Sequence, residues 1–152
     1  MAGKKKFEEL MKDAKKMKKL MEELVPFNRF LGVQCTKVEK GFVRLEIPFR
    51  AEYIGDATRP ALHGGLISTL ADTAGGGAVW TTLDDERGRV ATIDLRIDYL
   101  RPGKSELLVA EAKVVRAGNR VGVTDMRLFH PSAEDETIAT GKGVYNIIIK
   151  KA

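Results

Sequence analysis

Between Gly64 and about Leu83 the chain carries one long apolar helix, and nothing after it shows helical spacing. Leu66, Ile67, Leu70, Ala71, Ala74 and Ala78 recur as a stripe on one helical face. Asp84 to Gly88 is a polar turn, and beyond it four runs read as strands. Ala91, Ile93, Leu95, Ile97 and Tyr99 alternate strictly up to the turn at Arg101-Pro102-Gly103. Leu107 to Arg116, Val121 to Phe129 and Thr137 to Ile149 follow, separated by turns at Ala117-Gly118-Asn119 and Pro131. Before the helix there is one strand: from Thr36 the period becomes two, and Val43, Leu45 and Ile47 alternate with Arg44 and Glu46 after the Lys40-Gly41 turn. Residues 51–62 are irregular. The predicted fold class is α+β, a long central helix wrapped by one antiparallel sheet of short-turn strands.

An extra element precedes this unit. Phe7, Leu10, Ala14, Met17, Met21 and Leu24 recur at steps of three and four, with lysines on the other face, and Pro26 ends the helix. The domain reading is an amphipathic helix at 1–25 and one domain at 26–152. Basic helices of this kind also bind acidic surfaces, but a terminal helix packed over the domain with solvated lysines is the simpler reading. The net charge of +5 is concentrated here, since residues 1–24 hold eight lysines against five acids. The remaining +2 is too little to argue for nucleic acid. No apolar run approaches the ~18 residues of a membrane span, and no signal-peptide core follows the basic start. Cys35 is the only cysteine, so no internal disulfide or thiolate metal cluster is expected, which suits a cytoplasmic protein.

The long helix has two features that packing does not explain. Gly75, Gly76 and Gly77 sit in its interior, each costing about 1 kcal/mol relative to alanine. Close approach of another element would offset that cost, and Ala78, Val79 and Trp80 continue the pattern beyond it. The helix also opens on His63-Gly64-Gly65, a first turn whose backbone N–H groups carry no side chains over them. Such N–H groups, at the positive end of the helix dipole, favour negative charge on a carbonyl oxygen, as ester or thioester hydrolysis requires.

Asp72 is the one acid inside the helix. A carboxylate among apolar neighbours needs a partner or a function; it is either a nucleophile, a base for water, or a structural acid bonded across an interface. Eight residues separate it from Gly64, about 12 Å along a helix, whereas one reacting carbon needs contacts of about 3 Å. If both act, Asp72 works with the Gly64 of another copy. A two-fold homodimer with antiparallel helices supplies that arrangement twice.

The segment HGGLISTLADTAGGGAV resembles the helix signature of hotdog-fold acyl-CoA thioesterases, in particular the phenylacetate-degradation (PaaI-like) type. ATIDLRIDYLRPGKSELLVAEAKVVRAGNRVGV and IATGKGVYNI resemble that family's later strands, so the similarity spans roughly residues 28–150. It implies a hotdog fold, an acyl-CoA thioester as substrate, coenzyme A as part of that substrate and no separate cofactor. It also implies catalytic roles for Gly64, whose N–H polarises the thioester carbonyl, and for Asp72, the acid supplied by the opposing subunit. Thr92 matches a Ser/Thr position that places the attacking water, and His63 with Gly65 shapes the turn. Arg116, Asn119 and Arg120 lie on a hairpin that in relatives approaches the coenzyme A phosphates. Relatives carry an asparagine where this chain has Ala57; Asp56, one place away, is the nearest polar candidate for substrate contact, but an ionised carboxylate cannot donate. Subgroups with a Thr or Ser one turn beyond the acid are not matched, because that position is Gly76.

Other chemistries find less material. Cys35 reads as a small buried residue rather than a nucleophile, Ser68 has no nucleophile elbow, His130 reads as a turn residue, and two histidines do not suggest a metal site. Within the same architecture a non-catalytic acyl-CoA sensor is the second reading and a hydratase the third. A single helix before Pro26 is too little for a helix-turn-helix. The expected assembly is a homodimer, with an exposed apolar sheet face pairing dimers into a tetramer.

Overall fold

The computed structural model describes residues 14–84 and 88–149. Residues 14–19 are helical and run into a π turn at Leu20–Leu24. Met17 and Met21 are buried while Lys15, Lys18 and Lys19 are exposed, so this segment packs its apolar face onto the domain. Phe7 and Leu10, the start of the predicted stripe, lie outside the described residues. Leu24, its last member, is 58% exposed, because the wider π turn rotates it away from the core. Pro26 does end this segment, yet it also begins another helix, α1 (Pro26–Leu31). Proline is favoured at a first helical position, where its missing N–H is not needed. Gly32, at a φ of 71°, closes α1.

The sheet has six strands rather than the five expected. β1 (Gln34–Glu39) and β2 (Phe42–Ile47) form a hairpin about Gly41, whose φ is 78°. β1 escaped the periodicity because it is an edge strand with exposed Gln34, Thr36, Lys37 and Glu39, and a bulge between Cys35 and Lys37 interrupts its alternation. The long helix, α2, is Gly64–Trp80. It is followed by β3 (Arg89–Tyr99), β4 (Leu108–Ala117), β5 (Val121–Phe129) and β6 (Ala139–Ile148). All pairs are antiparallel, in the order β1-β2-β4-β5-β6-β3. α2 lies across the concave face, touching β2, β3, β4, β5 and β6. Its stripe of Leu66, Ile67, Leu70, Ala71, Ala74 and Ala78 is buried, in one core with Val43, Leu45, Leu108, Ala110 and Leu128. Met17 and Met21 join the same core. This is the helix-in-a-sheet arrangement expected of a hotdog.

α2 continues unbroken through its glycines, and close approach explains two of them. A Cβ at Gly75 would collide with the Tyr145 hydroxyl, and one at Gly77 would come within 3.0 Å of Met21 Cε. At Gly76 the nearest neighbour is Tyr145 Cε1 at 3.5 Å, an ordinary contact.

β3 departs from the strict alternation read from the sequence. Thr92 pairs with Tyr145 and Asp94 with Val144, so Ile93 is an extra residue in a bulge. Before the bulge Val90 and Thr92 face inward; after it Leu95 and Ile97 do. Ile93 is left 57% exposed. The bulge therefore puts Thr92 and Tyr99 on the same side, toward α2. Among the described residues no helix is long and apolar enough to cross a membrane.

Candidate active site

The first turn of α2 is held by backbone and ring together. His63 is the N-cap, and its Nδ1 accepts from the Gly65 N–H at 2.8 Å, so the neutral ring carries its proton on Nε2. The Leu66 and Ile67 N–H groups donate to the His63 carbonyl, and the His63 N–H donates to the Tyr53 carbonyl. The Gly64 N–H has no partner among the described residues. Of the donors that the His-Gly-Gly pattern offers, Gly65 is thus spent on the cap and Gly64 is open. Gly55 permits this crowding, since a Cβ there would lie 2.5 Å from His63 Cα. Tyr99, which the sequence did not single out, donates its hydroxyl to the Gly64 carbonyl at 3.0 Å and covers the turn with its ring.

This turn faces a cleft of about 700 Å³ whose rim includes Gly64, Ile67, Tyr99, Asp56 and Arg101. Asp56 is committed elsewhere within it. Its Oδ1 accepts from the Thr58 hydroxyl at 2.7 Å and the Thr58 N–H at 2.8 Å, and its Oδ2 from Arg59 at 2.7 Å. The Thr58 hydroxyl and then the Arg59 guanidinium hold its carboxyl well below the usual range. Ala57 beside it is exposed and offers no donor side chain.

Asp72 lies in a separate cleft, of about 560 Å³, with Thr92, Gly76, Trp80 and Tyr145 among its walls. The Thr92 hydroxyl donates to Asp72 Oδ1 at 2.9 Å. Tyr145, fully buried, donates its hydroxyl to the Asp72 carbonyl at 3.2 Å. Burial, and then the nearby Asp72 charge, push the Tyr145 phenol far above its ordinary value, so it stays a donor. Nothing in the sequence pattern separated Tyr145 from the other aromatic strand residues.

The remaining candidates are scattered. Arg116, Asn119 and Arg120 are exposed at the β4–β5 turn, and neither arginine forms an ion pair among the described residues. That hairpin rests on the far end of α2, where Gly122 packs against Val79, and so lies opposite the Gly64 end of its own chain. Cys35 is buried, and burial pushes its thiol up to about 11, keeping it protonated at neutral pH. His130 opens the turn at Pro131–Ala133 and is buried there: Nε2 accepts from the Lys104 N–H and Nδ1 donates to the Leu107 carbonyl, both at 2.8 Å. It clasps the β3–β4 connection and has no free ring nitrogen for chemistry. Among the described residues no group of three or more His, Cys, Asp or Glu side chains could hold a metal ion.

Comparison with known proteins gives a consistent picture. Residues 60–136 match the family model described as the thioesterase superfamily. The chain is 35% identical over 135 residues to the medium/long-chain acyl-CoA thioesterase YigI of Escherichia coli, covering 81% of this chain and 86% of that protein. The structure of the E. coli PaaI protein from the phenylacetic acid degradation operon superposes with a TM-score of 0.80 at 25% identity, covering 93% of this chain and 98% of that one. A Shewanella oneidensis protein related to the thioesterase superfamily superposes with a TM-score of 0.78 at 30% identity, over 90% of this chain and 96% of that one.

Proposed function

The chain belongs to the thioesterase superfamily and is a thioester hydrolase of the PaaI-like hotdog type, and from that premise we propose that it hydrolyses acyl-CoA thioesters at sites shared between two subunits. The observation that carries the reading is the pair of half-sites on α2: an open Gly64 N–H in one cleft and an Asp72 carboxylate held by Thr92 in another. Two antiparallel copies of α2 set Asp72 of one subunit against Gly64 of the other. β3 supports such pairing. It is an eleven-residue edge strand, bonded among the described residues only to β6, with Ile93 exposed.

In this arrangement the Gly64 N–H donates to the thioester carbonyl, and Asp72 of the facing subunit takes a proton from water through Oδ2. The hydroxide adds to the carbonyl carbon, the oxyanion is held at Gly64, and the carbon–sulfur bond breaks to release coenzyme A thiolate, which takes up a proton. Thr92 holds Oδ1 so that Oδ2 faces the water. Tyr99 and His63 fix the Gly64 peptide from its carbonyl side and its cap. The antiparallel pairing also carries Arg116, Asn119 and Arg120 of one subunit toward the Gly64 end of the other, where they receive the coenzyme A phosphates. Acid, glycine and water suffice for this reaction, and it calls for no separate cofactor.

The test is a panel of acyl-CoAs with a thiol reagent to detect free coenzyme A. The wild type releases it, and Asp72→Ala lowers kcat by roughly 1000-fold or more with its circular dichroism and melting curve preserved. Turnover that survives Asp72→Ala removes the assignment, and binding without turnover across the panel makes the chain an acyl-CoA-binding module instead.

A further inference from the structure

Asp72, Gly76 and Trp80 follow one another at intervals of four and so form one row on α2, running about 12 Å from the carboxylate. All three line the same cleft of about 560 Å³, and Leu20, Met21 and Val25 of the N-terminal segment line it too. A cleft of this size accommodates a substantial organic group. Its polar end is the Asp72–Thr92 pair, and the surface beyond Asp72 is chiefly apolar. Gly76 is the middle of the row. Unlike Gly75 and Gly77, it has no neighbour within the chain that a methyl group would displace. Packing within the chain does not require its missing side chain, and the position opens onto the cleft.

We propose that this cleft receives the acyl chain of the thioester, and that Gly76 determines chain length by leaving the passage from Asp72 to Trp80 open. A side chain at position 76 would stand across the row, directly beyond the reacting carbonyl. With glycine there, an extended alkyl chain lies along the helix and ends among Trp80, Leu20, Met21 and Val25. The N-terminal helical segment is on this account part of the substrate site. The inference rests on the reading that Asp72 acts at an acyl thioester.

The experiment compares kcat/KM for butyryl-CoA and decanoyl-CoA in the wild type, Gly76→Val and Leu20→Trp, with the oligomeric state followed by light scattering and folding by thermal melting. The wild type accepts decanoyl-CoA, and Gly76→Val lowers the decanoyl-to-butyryl ratio by roughly ten-fold or more. Leu20→Trp, filling the same passage from the N-terminal segment, moves the ratio in the same direction. An unchanged ratio in both variants, or a wild type that cleaves butyryl-CoA but not decanoyl-CoA, overturns the proposal. So does dissociation of Gly76→Val into monomers, which would make Gly76 a subunit-packing residue. A wild type inactive on every acyl-CoA instead overturns the underlying reaction, and this inference falls with it.

Discussion

At the scale of single residues, Asp72 stood out because charge is costly inside an apolar helix. Its surroundings did not, since its partners come from other elements: Thr92 from β3 and Tyr145 from β6. In the sequence only resemblance to a family points to Thr92, and nothing there points to Tyr99 or Tyr145. The Thr92 bond has a measurable consequence. A hydrogen bond to a charged group contributes about 1.5–3 kcal/mol, so Thr92→Val is expected to lower kcat by roughly 10- to 100-fold. KM should change much less, and Thr92→Ser, which retains the hydroxyl, should recover most of the loss. Steady-state kinetics on one acyl-CoA decides it; an equal fall in Thr92→Val and Thr92→Ser would mean that the hydroxyl does not act on Asp72.

At the scale of elements, local pattern and tertiary pairing disagree in places. Strict alternation in 91–99 put Ile93 on the inward face; the bulge turns it out and brings Thr92 in. Pro26 stops the first helical segment as its sequence suggests, and it also starts a second helix. β1 was missed because an edge strand exposes most of its side chains and shows little period. His130 sits at the turn that its sequence suggests, and burial also makes it a clasp between the β3–β4 connection and the end of β5. Removing that ring leaves the Lys104 N–H and Leu107 C=O short of partners, at about 1–3 kcal/mol each. His130→Ala should therefore lower Tm by roughly 5–10 °C, measured by differential scanning calorimetry. A shift near zero would show that solvent replaces the clasp, and His130→Asn, able to accept from Lys104, should lose less.

At the scale of the whole molecule, the proposed reaction needs a second copy of the chain, because its two half-sites lie apart on α2. Asp72 and Gly64 are eight residues apart and open into different clefts. Mixing Asp72→Ala with Gly64→Pro subunits tests the shared site. Each homodimer should be inactive, while heterodimers contain one intact Gly64–Asp72 pairing and should recover up to about a quarter of the wild-type rate after random exchange. Exchange is followed by native mass spectrometry, and inactive heterodimers of folded subunits would count against the cross-subunit geometry. The sequence by itself determined the central helix, its glycine-rich interior, the lone acid and the open first turn, because each is a matter of local propensity, spacing along one helix and the cost of burying charge. The strand pairing, the bulge at Ile93, the tyrosines on Gly64 and Asp72, the clasp at His130 and the open floor at Gly76 were decided only in the tertiary structure. They depend on which distant residues the sheet register brings together, and register is a property of many strands at once rather than of any one segment.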